Sequence, residues 1–121
     1  LIHRVANIIA EINEIDRAII SSDHSRIIKE GEAFGLDAPF VRPNKLSGDF
    51  VGDVDVLQHA LLITEEIDRI QYDIILMLQP TSPFRKAEHI YQVLDKMIER
   101  QFDSVWTLSL TDKKYHPLKQ L

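Results

Sequence analysis

The sequence predicts an α/β sandwich built on a mostly parallel sheet, and three observations carry that expectation. Apolar segments with a helical period alternate along the chain with short β-prone runs. After Asp73 the run over 73–78 is apolar without a break and has two adjacent isoleucines near its start, the pattern of a strand buried on both faces. Parallel strands need long crossover connections, and the helical stretches between the runs are long enough to supply them.

The first helix is expected over 1–15, where Leu1, Val5, Ile8, Ile12 and Ile15 form one stripe that Ile2, Ala6 and Ile9 widen. Ala18, Ile19 and Ile20 make a short buried strand that runs into Ser21, Ser22 and Asp23, residues that cap helices. Ile27, Ile28 and Phe34 carry the next helix, and Gly35 is the natural place for it to stop. A short extended piece follows over 38–41, and then a loop over 42–52 with one proline, two of the four glycines and no period. Val54, Leu57 and Leu61, with Val56, Ala60, Ile63 and Ile67, give a broad apolar face to a long helix over 53–69 that Asp53 is placed to cap. The run over 73–78 breaks at Gln79, Pro80, Thr81, Ser82 and Pro83. Ile90, Tyr91, Leu94, Met97 and Ile98 mark a helix over 87–100, a last strand is expected over 104–110, and a polar, basic tail fills 111–121.

Composition narrows the function. In 121 residues, 45% are hydrophobic and 27% charged, a balance that builds one core and argues against disorder. The net charge of −5 offers no general attraction to nucleic acid or to anionic lipid. The absence of cysteine excludes disulfides, thiolate metal sites and a thiol nucleophile, and no apolar run approaches the length of a membrane span. The chain is expected to work inside the cell, in solution.

In open α/β sheets ligands bind beyond the carboxyl ends of the strands, so the segments after Ile20, Val41, Leu78 and Leu110 matter most. Gln79 to Arg85 offers an amide, two hydroxyls and a guanidinium on a loop stiffened by two prolines. The alternative is a plain strand-to-helix connection in which Thr81 or Ser82 only caps a helix. Arg42 brings a planar fork of donors suited to a base carbonyl or a phosphate, at the start of a loop that could otherwise be ordinary surface. Asp53 and Asp55 have D-x-D spacing, but residues two apart on a helix do not share a face, so they are not read as a metal pair. Asp23 and His24 could meet a ligand or cap a helix. His3, His59, His89 and His116 are scattered without metal-ligand spacing, and neither G-x-G-x-x-G nor G-x-x-x-x-G-K-[ST] occurs.

Four stretches in order, Ile15 to Asp23, Arg42-Pro43 with Leu46-Ser47-Gly48-Asp49, Leu78 to Arg85, and Phe102-Asp103-Ser104-Val105, resemble the CMP-sialic acid synthetases, or N-acylneuraminate cytidylyltransferases. Gln79-Pro80-Thr81-Ser82-Pro83 is the most telling, and the resemblance runs through essentially the whole chain. Related deoxy-octulosonate enzymes carry an acidic residue in that stretch, where Thr81 stands here, which favours the sialic acid branch. The resemblance implies a three-layer, Rossmann-like nucleotidyltransferase sandwich and Mg²⁺-dependent transfer of CMP from CTP to a sialic acid-like nonulosonic acid, with release of pyrophosphate. It further implies a cytoplasmic enzyme that pairs as a homodimer. By resemblance Arg42 contacts the cytosine, Val51 and Asp53 line the base and ribose site, and Gln79 holds the sugar acid in a crevice shaped by Thr81 and Ser82. The family's phosphate loop would precede Leu1 and its metal-binding D-x-D would follow Leu121. The 121 residues are therefore expected to form a single partial domain, inactive alone, with no catalytic residue or metal ligand of their own. The competing expectation is a non-catalytic nucleotide- or partner-binding domain that keeps the nucleotidyltransferase fold.

Overall fold

The computed structural model describes residues 1–108. They divide into two compact units, one over Leu1–Ala87 and a second that begins at Glu88.

In the first unit, α1 (Ile2–Ala10) buries Val5 and Ala6, and the turn after it buries Ile12. The helix is shorter than its apolar stripe: Glu11 and Ile12 donate to the carbonyls of Ile8 and Ile9 at 3.1 and 3.0 Å, tightening the end into a 3₁₀-like turn. α2 (Ser25–Ala33) packs against α1. Its N-cap is His24, whose Nδ1 accepts from the Arg26 amide at 3.2 Å, while Ser22 Oγ accepts from the His24 amide at 3.1 Å. Gly31 is buried on α2 because Ile20 lies against it, and a Cβ there would stand 2.7 Å from Ile20 Cδ1. The helix ends as expected at Gly35, with φ +84°. The Leu36 amide then returns to the Gly31 carbonyl at 3.1 Å, a bond that satisfies an open carbonyl of the last turn.

The expected parallel sheet does not form. Among the described residues there is no strand ladder, and the pairing present is an isolated parallel bridge between Ile19 and Asp37. Around it Ile20 donates to Asp37 at 2.8 Å, Asp37 to Ala18 at 3.1 Å, and farther along Arg42 donates to Ser22 at 2.9 Å. Among the described residues the run over 73–78 pairs with no neighbour, and Ile74, Ile75 and Met77 are exposed, Ile75 by 45%. The Rossmann-like sandwich read from the sequence is corrected to a helical structure with one bridge. The reason is physical: an apolar run reports a tendency to be buried, whereas a strand exists only where a second backbone supplies its donors and acceptors.

Asn44–Leu46 form one 3₁₀ turn inside the expected loop. α3 (Asp53–Asp68) follows with nearly the boundaries its period predicts, but Gly52 occupies the N-cap position. Asp53 therefore does not cap; it is the first helical residue, where its charge meets the positive end of the helix dipole. Thr64 is buried on α3 and donates to the Ala60 carbonyl at 2.7 Å. The helix ends on Arg69 in the left-handed region, φ 57°.

α4 (Ala87–Arg100) has the limits expected of it, and Ile90 is its most buried side chain, 2% exposed. It closes at Gln101, φ 51°, with the Phe102 amide on the Met97 carbonyl at 3.0 Å. Residues 104–108 of the expected final strand form no ladder. The rest of that strand and the tail over 111–121, His116 included, lie outside the described residues.

Candidate functional site

Arg42 and Asp23 come together where two short segments run side by side beyond the bridge at Ile19 and Asp37. Counting forward from the bridge sets Ser22 opposite Phe40 and Asp23 opposite Val41, but the Arg42 amide takes the Ser22 carbonyl at 2.9 Å, one residue out of that register, and Asp23 holds its Oδ1 4.0 Å from Arg42 Nη2. That ion pair is loose. Arg42 Nε is buried and has no hydrogen-bond partner among the described residues, so the guanidinium keeps donor capacity that its surroundings do not use. Such a donor loses its water without gaining a partner and is in a state to gain from an acceptor brought by a ligand.

The loop after Arg42 is folded by its own polar groups. Ser47 Oγ donates to the Pro43 carbonyl at 3.1 Å, and the Val51 amide to the Gly48 carbonyl at 3.1 Å. The second bond closes a turn that delivers a half-buried Val51 to the start of α3. A hollow of about 260 Å³ lies beside this loop, lined by Lys45, Leu46, Asp55, Gln58, His59 and Leu62, none of them a residue singled out as a ligand contact.

Asp53 and Gln79 are 26 positions apart in sequence and meet in space, Gln79 Nε2 donating to Asp53 Oδ2 at 3.4 Å. The run between Tyr72 and Gln79 makes this possible. At its start the Tyr72 amide donates to Glu65 Oε1 at 2.9 Å and the Tyr72 hydroxyl to Asp68 Oδ2 at 2.7 Å, both near the carboxyl end of α3. At its finish Gln79 reaches the amino end. Seven extended residues span about 23 Å, and the rise of α3 from Asp53 to Asp68 is about 22 Å, so the run is long enough to return from one end of the helix to the other.

Beyond Gln79 the chain makes two successive turns, Ser82 N to Gln79 O at 3.3 Å and Arg85 N to Ser82 O at 3.4 Å, and Arg85 Nη1 also reaches the Gln79 carbonyl at 3.5 Å. Thr81 and Ser82 sit exposed on these turns. The structure thus gathers Asp53, Gln79 and Ser82 into one locality and Arg42 with Asp23 into another. Among the described residues the ion pair and hydrogen bonds of Arg42 run to Asp23 and Ser22, not to Asp53 or Gln79.

The cluster of Arg17, Asp37, Asp68 and Tyr72 was not singled out by sequence. Arg17 Nη2 stands 2.6 Å from Asp37 Oδ2 and its Nε 3.1 Å from Asp68 Oδ2. The Nε contact is a close ion pair rather than a directed hydrogen bond, since Nε–H does not point at the carboxylate. A signal existed: Arg17, Asp37 and Tyr72 each stand immediately before, or one residue before, a β-prone apolar run.

Among the described residues no group of three or more His, Asp or Glu side chains could hold a metal ion. Asp53 and Asp55 lie two apart on α3, and Asp53 is already engaged by Gln79. These residues do not fit a Mg²⁺ site. Asn7 Nδ2 donates to His3 Nε2 at 3.1 Å and the His3 ring lies against Phe34, with centroids 4.6 Å apart; His59 meets Phe40 edge-on at 4.9 Å. No helix of the described residues is long and apolar enough to cross a membrane.

No protein-family model matches the chain. Individual proteins do. It is 32% identical over 100 residues to pseudaminic acid cytidylyltransferase of Campylobacter jejuni, covering 83% of this chain and 42% of that protein. It is 30% identical over 120 residues to N-acylneuraminate cytidylyltransferase of Escherichia coli, with 83% and 27% covered. It is 29% identical over 97 residues to CMP-N,N'-diacetyllegionaminic acid synthase of Legionella pneumophila, with 78% and 41% covered. The chain thus spans less than half the length of the curated relatives it matches. Three proteins from three genera, named for different acids of the sialic type and for the same attachment of CMP, agree on one conclusion: the chain belongs to the CMP-sialic acid synthetase family.

Proposed function

We propose that the protein carrying this chain transfers CMP from CTP to a sialic acid-like nonulosonic acid. The anomeric hydroxyl oxygen of the sugar bonds to the α-phosphorus of CTP, and the bond from that phosphorus to the pyrophosphate oxygen breaks. Pyrophosphate leaves with the electron pair, and the hydroxyl proton is released.

In this reading Arg42 spends its unused Nε–H on the cytosine, Val51 and Asp53 line the base and ribose, and Gln79 holds the sugar acid beside Thr81 and Ser82. The observation that supports it most is the hydrogen bond between Gln79 and Asp53. One residue read for the sugar and one read for the nucleotide are adjacent, as a transfer between two bound substrates requires. The chain's own residues bind and orient; positioning of this kind supplies a large share of the acceleration in phosphoryl-type transfer. Mg²⁺ is the cofactor proposed for the complete enzyme, and none of the roles given to these residues depends on it. A cytoplasmic homodimer is the proposed setting.

The test is pyrophosphate release by the full-length protein with CTP and a panel of neuraminic, legionaminic and pseudaminic acids. Turnover with at least one acid is expected. A well-folded protein inactive with every acid that still binds CTP would instead support a non-catalytic nucleotide-binding domain.

A further inference from the structure

We propose that Arg17 is a positioning residue, a latch that holds the two localities of the site in one frame. Its guanidinium faces two carboxylates on different parts of the first unit, Asp37 at 2.6 Å through Nη2 and Asp68 at 3.1 Å through Nε. Each carboxylate leads to one half of the site.

Asp37 leads to Arg42. Arg17 directly precedes Ala18, whose carbonyl accepts the Asp37 amide, and Ile20 returns a bond to the Asp37 carbonyl. The ion pair therefore clamps the bridge between the two segments. Releasing that clamp would free the segment over 37–42, and with it the Arg42 amide on the Ser22 carbonyl and the approach of Arg42 to Asp23.

Asp68 leads to Asp53 and Gln79. It ends α3, where a negative charge is poorly placed against the helix dipole, and Arg17 offsets that charge. The same Oδ2 accepts the Tyr72 hydroxyl, which anchors the start of the extended run that ends at Gln79. Arg17 is only partly exposed, and Asp68 less so, which limits the screening that makes surface ion pairs weak. A lysine could not serve equally, because a single ammonium lacks the planar fork that faces two carboxylates at once.

The kinetic part of this inference rests on the proposed function; the structural part does not, and the experiment separates them. In the full-length protein, Arg17→Met is expected to raise the KM for CTP and for the sugar acid together, each on the order of tenfold, and Arg17→Lys on the order of threefold. Amide exchange at Ile20, Asp37 and Arg42 is expected to quicken in the same variants. In Arg17→Met, which removes the charge, the Tyr72 phenol is expected to titrate higher still, because the Arg17 charge lowers it. If Arg17→Met fails to fold, Arg17→Lys and Asp37→Asn carry the same measurements. A lowered melting temperature with both KM values unchanged overturns the positioning role. A wild-type protein without CMP transfer overturns the functional reading alone, and unchanged amide exchange then overturns the latch.

Discussion

Two segments of the first unit have the composition of buried strands, 18–20 and 73–78, and only one of them finds a partner. The shorter of the two does so. Ile19 bridges Asp37, and three backbone bonds join its neighbourhood to 37–42. The longer run, with Ile74, Ile75, Leu76, Met77 and Leu78, is tied to α3 at its ends by Tyr72 and Gln79 and pairs with no backbone among the described residues. Apolar content does not decide the outcome. The first segment has α2 folded over it, a glycine that lets helix and strand approach, a left-handed turn that brings the chain back, and an ion pair at the return point. The second has side-chain tethers alone.

Predictions follow that contrast from its strongest point to its weakest. Gly31→Val forces methyl groups into the space Ile20 occupies and is expected to cost about 1–3 kcal/mol by denaturant unfolding. Unchanged stability would mean that α2 does not rest on Ile20. Gly35→Ala strains the left-handed turn that returns the chain to its pairing partner, with a cost of about 1–2 kcal/mol expected in the same assay.

On the tethered side, Tyr72 gives a pH signature. Its phenol is raised above the ordinary 10.0 first by the hydrogen bond to Asp68, then by desolvation and by the Asp68 charge. The folded form thus holds its proton more tightly than the unfolded chain. The contribution to stability is complete below pH 10.0 and is lost as pH rises through the raised folded value. Tyr72→Phe is expected to abolish that alkaline limb in melting curves taken against pH; a limb unchanged in the variant would break the tether.

The smallest stability effect is expected at the far end. Gln79 is exposed and its bond to Asp53 is long, so Gln79→Ala is expected to shift unfolding by no more than about 0.5 kcal/mol. In the full-length protein the same substitution is expected to raise the KM for the sugar acid. A loss of stability without a kinetic defect would make Gln79 a structural tie instead.

The helices were legible because a helix is mostly a local object. The 3.6-residue period places α3 and α4 within a residue, and Gly35 marks the end of α2. Only the first helix was overread, since its stripe continues to Ile12 and Ile15 after the hydrogen bonding has changed. The likeness of four short stretches to the CMP-sialic acid synthetases was legible too, and the relatives agree with it.

What the sequence by itself determined is therefore local and chemical: where helices start and stop, which side chains are apolar, and a likeness to the CMP-sialic acid synthetases carried by short stretches of the chain. The tertiary structure alone decided that the apolar runs build no sheet among the described residues, that Gly52 and not Asp53 occupies the N-cap position of α3, and that Asp53 and Gln79 meet across 26 positions. It also decided that Arg17 joins two carboxylates no spacing would pair. The division has one physical cause. A helix closes its hydrogen bonds within four residues and so is written in adjacent positions, whereas a strand, an ion pair or a site draws on groups far apart in the chain, whose meeting depends on every element folded between them.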